Sequence, residues 1–335
     1  MNGYERCAAV LRGERPDRTP FFPLLMFFAA DRGGMSYREY ASDGHSLASA
    51  QINMAENYCA DAVTVSSDAF RLCADLGGGM TFPENQTPYM PGPLVKDESD
   101  LRSLKIPDPG RKGSRMKDRL DAVSELRRSL GDRTMVFGWV EMPFAEACNV
   151  CGLANFMMML MDAPELAHSV LEFVTGIEID FARAQIEAGA HAIGCGDAAA
   201  SMISEPLFRE FALPYERRVN EAIHAAGSYA KLHMCGNSTH LLGDLSTNGS
   251  DIYNVDHMVD LALAGNIYSS AGGTVKGNVN PVTDLMSATP EHAREAGRRC
   301  VESARGKKFM LGAGCEIPAA TSDEVFFAFA GAVNQ

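Results

Sequence analysis

The chain has 335 residues, 46% of them hydrophobic and 22% charged, with a formal net charge of -13. That length can bury a large core, as two average domains or as one barrel of eight α/β units with additions, and the acidic balance opposes nucleic acid as a partner, whose phosphates need Lys and Arg. No run of roughly 18 uncharged apolar residues offers a membrane span and the start Met-Asn-Gly-Tyr-Glu-Arg lacks the apolar core of a signal peptide, so a soluble cytoplasmic protein with no membrane partner is expected.

In chain order, residues 2–12 read as a short amphipathic helix with Cys7, Val10 and Leu11 on one side, stopped by Gly13. A turn over 14–20 leads into the first predicted strand, 21–27, and a helix over 44–59 precedes the second, 61–66. From Arg71 to about Pro109 the chain is rich in Gly and Pro and reads as a long insertion of loop or short hairpin. Ordered loops of that length usually serve as lids or binding loops. A charged helix over 114–130 leads to the third strand, 134–141, which carries the only tryptophan, Trp139. Cys148 and Cys151 have redox-motif or half-zinc-site spacing, but no second Cys-x-x-Cys accompanies them. The nine cysteines are an odd count without regular spacing, so reduced thiols are expected. The methionine-rich run 157–161 reads as core helix packing ahead of an adaptable interface.

A helix over 163–188 precedes the fourth strand, 191–197, and a helix over 204–226 precedes the fifth, 229–235. Further strands fall at 251–256, 274–279 and 308–313. Strands alternating with helices predict a parallel sheet, and eight of them favour a closed barrel over an open doubly wound sheet. Neither a G-x-G-x-x-G after the first strand nor a P-loop occurs. The expected architecture is an α/β protein, a single (β/α)8 TIM-barrel domain over residues 1–335, with an N-terminal helical extension and a long insertion after the second strand.

Metal-ligating residue types concentrate in residues 231–237 (Lys-Leu-His-Met-Cys-Gly-Asn) and 312–316 (Gly-Ala-Gly-Cys-Glu). His233 and Cys235 alternate along one strand and so point to one face. Cys315, at the end of another apolar strand, would complete a His-Cys-Cys set, a combination zinc favours over magnesium or calcium, with a fourth position left for chemistry. Taken alone, His-x-Cys more often reflects cysteines buried as small apolar residues. Both stretches, however, end in glycine-containing turns after strand-like runs, where catalytic groups of a parallel barrel collect. Glu141 and Asp197 end the third and fourth strands at the same mouth and are candidate catalytic residues that orient substrate, with salt-bridge or capping roles as the alternative.

The order of these pieces resembles the uroporphyrinogen decarboxylase superfamily over nearly the whole chain. The likeness is carried by residues 188–190 and 196–197, by 208–211 with 214–215, by 276–281 (Lys-Gly-Asn-Val-Asn-Pro) and by 311–318 (Leu-Gly-Ala-Gly-Cys-Glu-Ile-Pro). Within that superfamily, residues 232–237 are similar to the branch of zinc-dependent methylcobamide:thiol methyltransferases. The resemblance implies a TIM barrel, a Zn²⁺ site of His233, Cys235 and Cys315, and methyl transfer between a protein-bound methylcobamide and a small thiol such as coenzyme M. No corrinoid-binding Asp-x-His-x-x-Gly occurs, so the cobamide is expected on a separate corrinoid protein. Two alternatives stay open: demethylation of a small methylated substrate onto cob(I)alamin, and a decarboxylase-like protein without methyl transfer. The true decarboxylases carry Arg-Gln-Ala-Gly-Arg soon after the first strand, for a polycarboxylate porphyrinogen, where this chain has apolar residues 21–28. Arg15, Arg18, Arg32 and Arg71 are read as surface or structural ion-pair partners. Asp256 resembles the acidic ligand of the cobalamin-independent methionine synthases and is the candidate fourth zinc ligand, a turn or helix-cap role being the other reading. His240 and His257 are nearby competitors.

Overall fold

The computed structural model describes residues 1–334. Seven strands pair in parallel in the order of the sequence: β1 (Ala62–Thr64), β2 (Met135–Glu141), β3 (Ala192–Gly196), β4 (Tyr229–His233), β5 (Ile252–Asn254), β6 (Thr274–Val279) and β7 (Phe309–Ala313). Every residue of β2 and β3 is buried, as expected for parallel strands covered on both faces.

The first predicted strand forms no ladder. Pro20 and Pro23 remove two N–H donors from it, and a helix already begins at Phe27 (Phe27–Arg32). The segment nevertheless closes the barrel. Phe22 N–H donates to Leu311 O at 2.8 Å and Leu311 N–H to Pro20 O at 2.8 Å, while on the other side Asp61 N–H donates to Phe21 O at 2.9 Å. It is therefore the eighth stave, lying between β7 and β1.

The helices follow their end signals. Asn2 and Glu5 form a reciprocal capping box on the N-terminal helix Gly3–Leu11, and Ser114 caps Arg115–Leu130. The helix predicted over 204–226 is two, Glu205–Phe211 and Leu213–Ala225. Pro214 is the reason: it is tolerated in a first turn but cannot donate within a continuing helix. The insertion holds two short helices, Arg71–Asp75 and Glu98–Ser103, and one antiparallel bridge, Thr81 to Tyr89. No single helix among the described residues is long and apolar enough to cross a membrane.

Inside the barrel, alternate staves contribute one layer of four side chains: Phe22, Trp139, Lys231 and Lys276. Lys231 Nζ lies 4.8 Å from the Trp139 ring centroid and 5.5 Å from that of Phe22, and Lys276 Nζ is 5.3 Å from Phe22. Glycines on the intervening staves make the room. A Cβ on Gly194 would come within 2.4 Å of the Trp139 ring, and one on Gly312 within 2.8 Å of the Lys276 chain. Both lysines are fully buried, and burial lowers their pKa values, that of Lys231 to about 8.

Candidate metal centre

His233 ends β4, in register with Gly196 of β3 and, beyond it, Glu141 of β2. In-register residues of parallel strands share a face, so all three address the barrel interior at its carboxyl end. Cys235 follows on a turn made by Gly236, whose φ of 85° is the left-handed region that favours glycine. That turn is pinned by Asp256: Gly236 N–H donates to its Oδ2 at 3.0 Å and Met258 N–H to its Oδ1 at 2.9 Å. Cys315 leaves β7 after Gly314, where a Cβ would stand 2.3 Å from the His257 nitrogen. Only glycine lets this loop pass close enough. Beyond Cys315, the Glu316 carboxylate accepts from Phe27 N–H and ties the loop to the eighth stave.

The three donor atoms converge. Cys235 Sγ is 3.2 Å from His233 Nε2 and 3.7 Å from Cys315 Sγ, which lies 3.6 Å from the same nitrogen. A hydrogen bond from Cys235, with help from His233, pulls the Cys315 pKa down to about 3 against the effect of burial. The same contact, burial and the Cys315 charge push Cys235 up. One nitrogen and two sulfurs, within 4.8 Å of one another and partly open to the mouth, are a donor set that can hold a metal ion and suits zinc. His233 Nδ1 is buried without a partner.

Beside the cluster the mouth is acidic. Glu141 accepts at Oε1 from Arg71 Nη2 at 2.6 Å and from Trp139 Nε1 at 3.0 Å. Its Oε2 leans over Gly196, where a Cβ would be only 2.3 Å away. Burial outweighs the Arg71 charge and raises the Glu141 pKa to about 7. Behind it Glu146 is raised to about 8, first by burial and then by the Glu141 charge. Asp197 is fully buried, with no donor to either oxygen among the described residues, and its pKa is pushed well up by burial and by the neighbouring Glu216 charge. Glu141 also borders a cavity of about 580 Å³, walled by Met90 and Pro93 of the insertion, by Phe70 just before it, and by Leu153, Ala199 and Met202.

Other residues weighed from the sequence surround this group. Asp256 lies outside the three-residue group and braces the turn that carries Cys235, accepting from Gly236 N–H at Oδ2 and from Met258 N–H at Oδ1. His257 pairs with Asp256 at 3.1 Å and His240 Nε2 faces Ile203 O at 2.9 Å. Cys148 and Cys151 are buried in the helix Pro143–Cys151, and burial pushes both thiols up. Of the methionine run, Met159 is buried while Met158 and Met161 face outward, so core packing describes only one side of that helix. Arg18 pairs with Asp61 and Arg32 with Asp323, whereas Arg71, read as structural, reaches the mouth through Glu141. Sequence reasoning missed Glu146 and the two barrel lysines. The signal available was Gly194 and Gly196, two apart in one strand, marking where Trp139 and Glu141 cross.

The family model "Uroporphyrinogen decarboxylase (URO-D)" matches residues 2–335. The methylcobamide:CoM methyltransferase MtbA of Methanosarcina mazei is 31% identical over 232 residues, 68% of this chain and 65% of that protein, so the aligned part spans just under two thirds of that relative. MtbA of Methanosarcina acetivorans is 27% identical over 329 residues, 95% of this chain and 93% of the relative. The uroporphyrinogen decarboxylase of Ralstonia nicotianae matches at 29% over 278 residues, 77% and 74% of the two chains. A solved "methyltransferase from Methanosarcina mazei" superposes with a TM-score of 0.90 at 21% identity, covering 100% of this chain and 98% of that one, a likeness of fold. With strand order, barrel closure and a match from the second residue to the last all in agreement, the chain belongs to the uroporphyrinogen decarboxylase family.

Proposed function

We propose that this protein is a zinc-dependent corrinoid methyltransferase, moving a methyl group between a methylcobamide on a separate corrinoid protein and a small thiol, with residues 1–335 acting as one domain. The observation that carries this reading is the convergence of His233 Nε2, Cys235 Sγ and Cys315 Sγ at the barrel mouth. His233, Cys235 and Cys315 would hold a zinc ion, which would supply a Lewis-acidic position favouring a thiolate at neutral pH. The protein's own groups do the rest. His233 and Cys235 present their donors from the end of β4 and Cys315 from the end of β7, and Asp256 and Glu316 fix the loops that carry the sulfurs. Glu141 stands two strand spacings from His233, roughly 10 Å between their backbones, where its carboxylate can hold the far end of a short substrate. The exposed Met202, Met258, Val282 and Met286 follow strand ends on the mouth side, an adaptable apolar rim for a docking partner. A porphyrinogen would need free cations around the mouth, whereas Arg18, Arg32 and Arg71 are each paired with a carboxylate.

The test is metal content beside methylcobalamin turnover with a thiol panel, for the wild type and for Cys235→Ser and Cys315→Ser. About one zinc per chain, lost in both variants together with turnover, is expected. Zinc unaffected by both substitutions, or absent from the reduced wild type, would sink the reading.

A further inference from the structure

The cavity beside Glu141 offers chemistry that the metal centre alone does not explain. Its walls are Phe70, Met90, Pro93, Leu153 and Met202, and among the described residues Glu141 is the only charged side chain lining it. No Lys, Arg or His faces the space. Arg71, the nearest cation, lies behind Glu141 at 2% exposure, and its charge is answered by Glu141, Asp68 and Glu178. Both donors to Glu141 bind Oε1, so Oε2 is left to a ligand. The cavity lies beside the metal centre, two strands away. Glu141, Gly196 and His233 are one in-register row, and Ser201, in the loop whose Ala199 and Met202 line the cavity, meets the Cys235 turn, its Oγ being 3.2 Å from where a Gly236 Cβ would stand.

Resting on the functional reading above, we propose that this cavity receives the body of the thiol and selects a short apolar molecule ending in an ammonium or hydroxyl group, which donates to Glu141 Oε2, against thiols ending in a sulfonate, carboxylate or phosphate. A buried anion is tolerated only with a partner, and here an anionic tail would meet an apolar wall and a second carboxylate. Coenzyme M, which carries a sulfonate, is on this argument a poor fit for the chain.

Three two-carbon thiols that differ only in their tails test this: 2-aminoethanethiol, 2-mercaptoethanol and 2-mercaptoethanesulfonate. Their S-methyl forms, which present no thiol to a metal, are titrated against the emission of Trp139, the sole tryptophan and a hydrogen-bond partner of Glu141. The ammonium and hydroxyl tails should bind on the order of tenfold or more tighter than the sulfonate, and Glu141→Gln should erase the advantage of ammonium over hydroxyl. Turnover of the parent thiols with methylcobalamin should follow the same order. Tightest binding by the sulfonate, or none by any of the three, overturns the proposal while leaving methyl transfer to be judged by turnover. The expected tail preference with no thiol methylated would instead keep the binding assignment and sink the thiol-methyltransferase reading.

Discussion

At the amino end of the barrel Asp61 accepts four hydrogen bonds, one from Arg6, two from Arg18 and one from Phe21 N–H, at 2.7 to 3.1 Å. At the carboxyl end, among the described residues, Glu178, Asp197 and Glu216 keep buried oxygens that no donor reaches, and Lys231 Nζ, over its aromatic rings, and His233 Nδ1 lack a hydrogen-bond partner. Both ends bury charge. One spends it on holding helix, turn and β1 together, and the other leaves it under-satisfied, so that desolvation raises Glu141, Glu146 and Asp197 above the ordinary carboxylate range. Groups whose pKa is displaced by burial beside a cleft are where chemistry is to be sought, while fully paired ones are where stability is to be sought.

This contrast can be broken at either end. The largest effect on function should come from His233→Ala: metal content and turnover fall to background, as in the cysteine variants, while the denaturation midpoint of the metal-free protein stays near that of metal-free wild type. A collapse of the fold instead would show that the cluster is structural. The largest effect on stability should come from Asp61→Asn, which leaves two guanidinium groups facing a neutral amide and costs about 3 kcal/mol in urea unfolding, with metal content intact.

Glu146→Gln sharpens the comparison through pH. The Glu146 pKa is raised from 4.5 to about 8, so the folded chain binds this proton more tightly than the unfolded one. The resulting stability is full below pH 4.5 and is lost as the pH rises through about 8. Unfolding curves at pH 5 and pH 9 should therefore show wild type falling relative to the glutamine variant, by about 1–3 kcal/mol over that range. A pH-independent difference would mean that Glu146 does not titrate in this window. The smallest effect belongs to the surface: Arg209, which bridges Glu205 and Asp244 in the open, should be replaceable by Ala without a resolvable change in midpoint.

Much of the fold was legible because the apolar runs of a parallel barrel are local signals. Seven of eight predicted strands appear within a few residues of their expected ends, and the eighth survives as a hydrogen-bonded stave whose prolines explain its missing ladder. The break at Ala212 has its local signal too, in Pro214. Asp256 shows the limit: a carboxylate at a strand end is equally suited to a metal or to a turn, and only the tertiary structure shows that Gly236 N–H donates to it.

By itself the sequence determined that alternating strands and helices would close a barrel and that His233 and Cys235 would share a face, because both follow from the period of the backbone. Only the tertiary structure decided that Cys315, 80 residues away from Cys235, meets them at 3.6 and 3.7 Å, that Arg71 crosses from the insertion to Glu141, and that two lysines lie in the barrel's aromatic layer. Those are contacts between staves, fixed by register, closure and the glycines that let side chains lean across, and no local pattern encodes them.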